Sequence, residues 1–172
     1  MRLPPLGPIL GDVATNTRTS RHSQLLPTAA VLTLAVPLAV WGLVGQQNAQ
    51  GLPPSELDYS VRPWDIPAGA ENLIAALATL LAVGCGALLT HATRAGTFDR
   101  RWWQVLGPLL IAGALAGAGW RVLTAGVIGA NIGAGAALLL GAPLVGALVL
   151  WSLGRGAWLA THRSGTRALG HA

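Results

Sequence analysis

Four long apolar stretches, at about residues 27–45, 72–90, 104–125 and 132–153, dominate this chain of 172 residues, and the segments between them alternate in charge sign. Only a lipid bilayer selects for that combination. Each stretch is close to the ~20 residues a helix needs to cross the hydrocarbon core. The expected fold class is all-α: a polytopic membrane protein whose residues 25–160 form a four-transmembrane-helix bundle.

The positive-inside rule orients these spans. Arg2, Arg18 and Arg21 outweigh Asp12 before the first span, and Arg94, Arg100 and Arg101 outweigh Asp99 between the second and third. Arg155, Arg163 and Arg167 follow the core of the fourth. These three segments, and with them both termini, are expected in the cytoplasm. Glu56, Asp58, Asp65 and Glu71, with Arg62 and Arg121, fall on the opposite, outer side. The charges amount to +7 inside and −2 outside, which together give the net +5 of the chain. The basic pI therefore follows from topology, and no nucleic-acid partner is expected from a bias spread over short segments.

Tryptophan placement agrees with this orientation, because an indole satisfies both its ring and its N–H at the membrane interface. Trp102 and Trp103 stand where the third span leaves the cytoplasm, Trp151 and Trp158 where the fourth returns to it, and Trp41 and Trp120 near outer ends. Trp64 lies in the outer loop.

Residues 1–24, with Pro4, Pro5, Pro8, Gly11, Thr15, Asn16, Thr17 and Ser20, hold little apolar surface and read as a disordered cytoplasmic leader. No small-x-small pattern follows the first span, so a retained signal anchor is expected. Residues 161–172 read as a flexible cytoplasmic tail. The basic residues include no lysine, and Ala, Gly, Arg and Leu prevail, as a GC-rich genome encodes whatever the function. A multi-pass protein of a bacterial plasma membrane is the expected setting. The single cysteine, Cys85, lies mid-span and forms neither an intrachain disulfide nor a redox pair. It reads as a small residue at a helix contact.

In lipid, helices associate through close backbone approach, which small residues four apart permit. Such faces are Gly113 and Gly117 in the third span, Ala75, Ala78, Ala82 and Gly86 in the second, and Gly133, Ala137 and Gly141 in the fourth. They favour a compact bundle. Pro37 and Pro143 each remove a backbone donor inside a span, so a kink is expected at both. The second and fourth spans both open at an asparagine, Asn72 and Asn131, and both close at an arginine near a glycine. Duplication of a two-helix hairpin would explain that similarity, as would composition alone.

The sharpest candidate site lies at the outer face. Arg121 falls a turn or so below the outer surface and four residues beyond Gly117, on the tight-packing face. An arginine in lipid costs up to ~3 kcal/mol on insertion scales and turns inward to a partner. Glu71, at the start of the second span, is the expected partner, and Asp65 the second candidate. Asn72, Thr124 and Asn131 lie at similar depth and would complete a hydrogen-bonded network. The cluster is either a structural ion pair locking this end or a ligand site.

The outer loop, 46–70, mixes Leu57, Tyr59, Val61, Trp64 and Ile66 with prolines and acids, and is expected to fold back on the membrane surface or dock on a partner. Glu56, Asp58 and Asp65 match no calcium-loop spacing. His22 and His91 would share a haem or metal only if their span ends met, and otherwise read as solvated. No cofactor or metal is expected.

Without a catalytic or nucleotide-binding signature, the expected role is a non-catalytic accessory or assembly component of a membrane complex. Its partners would be the bilayer and another membrane protein or a second copy. A small transporter or channel is the alternative, though it needs a polar line at mid-depth where all four spans are apolar. A membrane enzyme would have to use the outer Arg121 cluster.

Overall fold

The computed structural model describes residues 9–49, 51, 53, 57–127 and 130–162, apart from the side chains of 9–24 and Asn131. Its regular elements are helices: α1 (Ile9–Val44), α2 (Ala68–Arg94), a 3-10 turn (Arg100–Trp102) leading into α3 (Trp103–Leu123), α4 (Ala130–Ala136) and α5 (Ala142–His162). A single π-helical turn, Ala137–Gly141, joins α4 to α5. Four helices are long and apolar enough to cross a membrane: Leu25–Val44, Ala68–Arg94, Arg100–Leu123 and Ile132–His162. A helix suits lipid because it satisfies its own backbone groups. Leucines cover the outside, with Leu34 70% and Leu139 77% exposed. An apolar patch of that kind is foreign to a water-facing surface.

Two boundaries differ from expectation. The segment expected as a disordered leader is helical from Ile9 onward. No proline interrupts 9–26, and extending an existing helix costs far less than nucleating one. The proline-rich residues 1–8 lie outside the described residues, as does the tail from 163. The last helix continues to His162, whose ring stacks on Trp158 at 4.4 Å between centroids.

Close backbone contacts run in a row, α2 to α1 to α3 to α5. Side chains also tie α2 to α3 at both ends, where Leu89 and Leu106 share a core, the Trp103 indole donates to the Thr93 hydroxyl, and Arg121 pairs with Glu71. α1 is central, between α2 and α3, and α3 carries α5 on its other side, leaving α2 and α5 as edges. The closest approaches explain the order, because they belong to α1. A Cβ on Gly42 would overlap the Ala75 side chain of α2. On α3, a Cβ on Gly113 would lie 3.2 Å from Pro37 Cδ, and one on Gly117 would overlap the Pro37 carbonyl. Ala78 is buried and Ala82 packs against the core, while Gly86 has no neighbour within 4 Å of a would-be Cβ.

The distortion expected at Pro143 takes the form of the π-helical turn immediately before it, which widens the helix where a backbone donor is missing. That turn also breaks the four-residue register of Gly133, Ala137 and Gly141, so they make no continuous contact face. Gly133 lies 3.6 Å from Val122 Cγ1 by the same measure, and Gly141 meets nothing within 4 Å.

A buried core cluster lies at the basic end, where Leu32, Leu89, Ala92, Phe98 and Leu106 gather with Cys85 and Trp103 against them. α2 stops at Gly96, whose φ of +69° suits glycine. The Thr97 and Phe98 N–H groups then both return to the Ala92 carbonyl, at 3.0 and 3.1 Å. Phe98 is thereby folded inward. Asp99 accepts the Arg101 N–H at 2.9 Å and starts the 3-10 turn.

Candidate functional site

Arg121 sits in the last turn of α3, 3% exposed. Its Nε donates to the Trp41 carbonyl at 2.7 Å and Nη1 to Gln46 Oε1 at 3.0 Å. Nη2 pairs with Glu71 Oε1. The guanidinium also lies over the Trp41 ring, 4.1 Å from its centroid, a geometry the ring quadrupole favours. One side chain thus joins α1, the segment after it and α2 to the end of α3. The planar fork of five N–H donors makes this divergence feasible. Glu71 comes from the first turn of α2, where the helix dipole also favours an acid.

A second layer holds the segment between α1 and α2 in place. Gln46 Nε2 donates to the Thr124 carbonyl at 2.6 Å and to Asn48 Oδ1 at 3.1 Å. Asn48 Oδ1 in turn accepts the Gly126 N–H at 3.1 Å, and the Ala49 N–H donates to the Gly126 carbonyl at 2.8 Å. Tyr59 forms an antiparallel bridge to the same glycine. A Cβ on Gly126 would lie 2.7 Å from Tyr59 Cε1, so a larger residue there would push that ring aside. The Val61 N–H reaches the Leu123 carbonyl at 3.2 Å, and Trp64 and Trp120 meet at 5.5 Å between centroids. The described part of the loop between α1 and α2 therefore packs on the protein's own α3 end.

Of the expected cluster, the structure joins Arg121 and Glu71 directly. Thr124 is buried, but its hydroxyl donates to the Trp120 carbonyl at 2.9 Å and it meets the cluster through its own carbonyl and Gln46. Asp65 is exposed; it lines a cleft of about 140 Å³ beside Arg121, Trp41 and Glu71, without an ion pair to the arginine. Asn72 is exposed and takes no part, because one helical residue beyond Glu71 it projects in another direction. The Asn131 side chain lies outside the described residues, as do Glu56 and the His22 side chain, while His91 is exposed. Among the described residues no group of three or more His, Cys, Asp or Glu forms a metal-sized cluster.

Trp41, Gln46, Asn48, Tyr59 and Gly126 were not expected in the site. A signal for two of them was present, since Gln46, Gln47 and Asn48 are a polar run placed directly after an apolar span. The arrangement as a whole fits a clamp: each partner of the arginine comes from a different segment, and one oxygen of Glu71 balances its charge. Comparison with protein-family models, with curated proteins and with solved structures finds no match to this chain.

Proposed function

We propose that this protein is a non-catalytic accessory or assembly component of a membrane complex, set in a bacterial plasma membrane with both termini cytoplasmic. The observation that carries this reading is the state of α5. It packs on α3 at one edge of the row, while Ala142 is exposed and a Cβ on Gly146, four residues on, would have nothing within 4 Å. Small residues at that spacing let a second helix come close. Transport is less well supported, since Arg121 is the one Asp, Glu, Lys or Arg within the four apolar stretches and Glu71 neutralises it. In this reading the Arg121 clamp preserves the form of the outer end.

The test is purification in mild detergent. Wild-type protein should retain a membrane protein, or a second copy, in fixed stoichiometry, and Gly146→Leu should release it without changing the melting temperature. A wild-type monomer, or a partner retained equally by Gly146→Leu, would overturn the reading.

A further inference from the structure

The end opposite Arg121 carries a second cleft, of about 680 Å³, where α2 stops and α3 begins. Arg94, Arg100 and Arg101 line it with Thr93, Trp103 and Gln104. All three arginines are exposed, and among the described residues none of their guanidinium groups is joined to a carboxylate. Asp99, the neighbouring acid, turns a carboxylate oxygen to the Arg101 backbone N–H.

The other polar groups of the cleft narrow what it takes. The Thr93 hydroxyl donates to the Leu89 carbonyl at 2.7 Å and accepts the Trp103 indole N–H at 2.8 Å. Gln104 Oε1 accepts from Arg155 Nε at 2.9 Å and Nη2 at 2.7 Å. Its acceptor is thus occupied, and Arg155 adds a fourth positive charge behind it. Thr90 also lines the cleft and donates its hydroxyl to the Gly86 carbonyl at 2.8 Å, which leaves a single neutral acceptor oxygen. The rest are guanidinium forks and an amide NH2, all donors. Their complement is an oxyanion with several acceptor oxygens, and arginine forks match phosphate bidentately.

Position selects the source of that phosphate. The cleft lies at the junction of two candidate spans, Ala68–Arg94 and Arg100–Leu123, which is headgroup level for any bilayer around them. Trp102 and Trp103 stand at the same level. Beyond it, Leu88 is 60% and Ile111 56% exposed, so acyl chains find apolar flanks. We propose that this cleft binds the phosphate group of an anionic phospholipid, a mode that basic pockets between membrane helices support.

Native mass spectrometry and thermal melting of the purified protein in neutral detergent test this with three probes: phosphatidylglycerol, phosphatidylcholine of the same chains, and inorganic phosphate. Phosphatidylglycerol should be retained and raise the melting temperature, phosphatidylcholine should not, and millimolar phosphate should not displace the lipid. Arg94→Gln, Arg100→Gln and Arg101→Gln should each weaken phosphatidylglycerol binding about tenfold. Arg62→Gln removes the same charge from the other end and should leave binding unchanged. Equal retention of both lipids by the wild type overturns the proposal, and this comparison needs no variant to fold. Displacement by inorganic phosphate overturns the lipid assignment, and an equal loss with Arg62→Gln overturns the site.

Discussion

The carbonyl oxygen of Pro37 occupies the space that a Cβ on Gly117 would need, so α1 and α3 meet backbone to backbone at that level. One turn earlier, Gly113 faces the Pro37 ring with slightly more room. The proline inside one helix is thus seated against the glycines of the next, and this contact holds α1 against α3.

Gly117→Ala should lower stability by about 1–3 kcal/mol, the usual cost of overpacking a close contact. Gly113→Ala should cost less, because a ring carbon can shift by a few tenths of an ångström where a backbone carbonyl cannot. Gly141→Ala, in open space, should be neutral or slightly stabilising through helix propensity. Melting temperatures in detergent check the order, and equal losses at 117 and 141 would refute the contact.

Arg121→Leu and Glu71→Leu should each destabilise by about 3–5 kcal/mol, since each leaves a charge without its partner. Arg121→Leu should be the worse, because it also strands Gln46 and the Trp41 carbonyl. The double replacement should recover part of the loss, with a coupling of about 0.5–3 kcal/mol. Strictly additive losses in an unfolding titration would show that the two charges do not act as a pair.

Gly126→Ala should loosen the segment between α1 and α2, because the new methyl collides with Tyr59 Cε1 and Asn48 Oδ1 at 2.7 and 2.9 Å. Limited proteolysis should then cut within 49–61 faster than in the wild type, while circular dichroism shows unchanged helix content. Identical digestion of the two proteins would mean that the bridges at Gly126 do not hold this segment.

Asp58→Cys and Ser164→Cys, each in a Cys85→Ala background, report the topology proposed above. A membrane-impermeant thiol reagent applied to intact cells should label position 58 and spare position 164. The reverse pattern would invert the orientation.

The sequence alone made the four spans legible, because hydrophobic length and the absence of charge are local properties that a bilayer reads residue by residue. It also marked Arg121 as a residue in need of a partner and ranked Glu71 first, since an arginine in an apolar helix has few acids at its depth. It placed Gly113 and Gly117 at a contact, but not against which helix. Asn72 shows the limit: depth is legible from position along the chain, whereas facing direction depends on how α2 is rotated against α1.

Tertiary structure alone decided the rest. Alanine and glycine occur on every helix, so their pattern does not say which faces are filled; Gly42 meets Ala75, a Cβ on Gly141 or Gly146 would find nothing within 4 Å, and close backbone contacts join α2 to α1, α1 to α3 and α3 to α5. The π-helical turn before Pro143 took Gly133, Ala137 and Gly141 out of register, which a fixed helical period does not foresee. Gln46 and the Trp41 carbonyl joined Arg121 across 75 and 80 residues. The sequence determines which groups need a partner, through the cost of burying them, but such a partner is chosen by three-dimensional proximity, which exists only once the helices have packed.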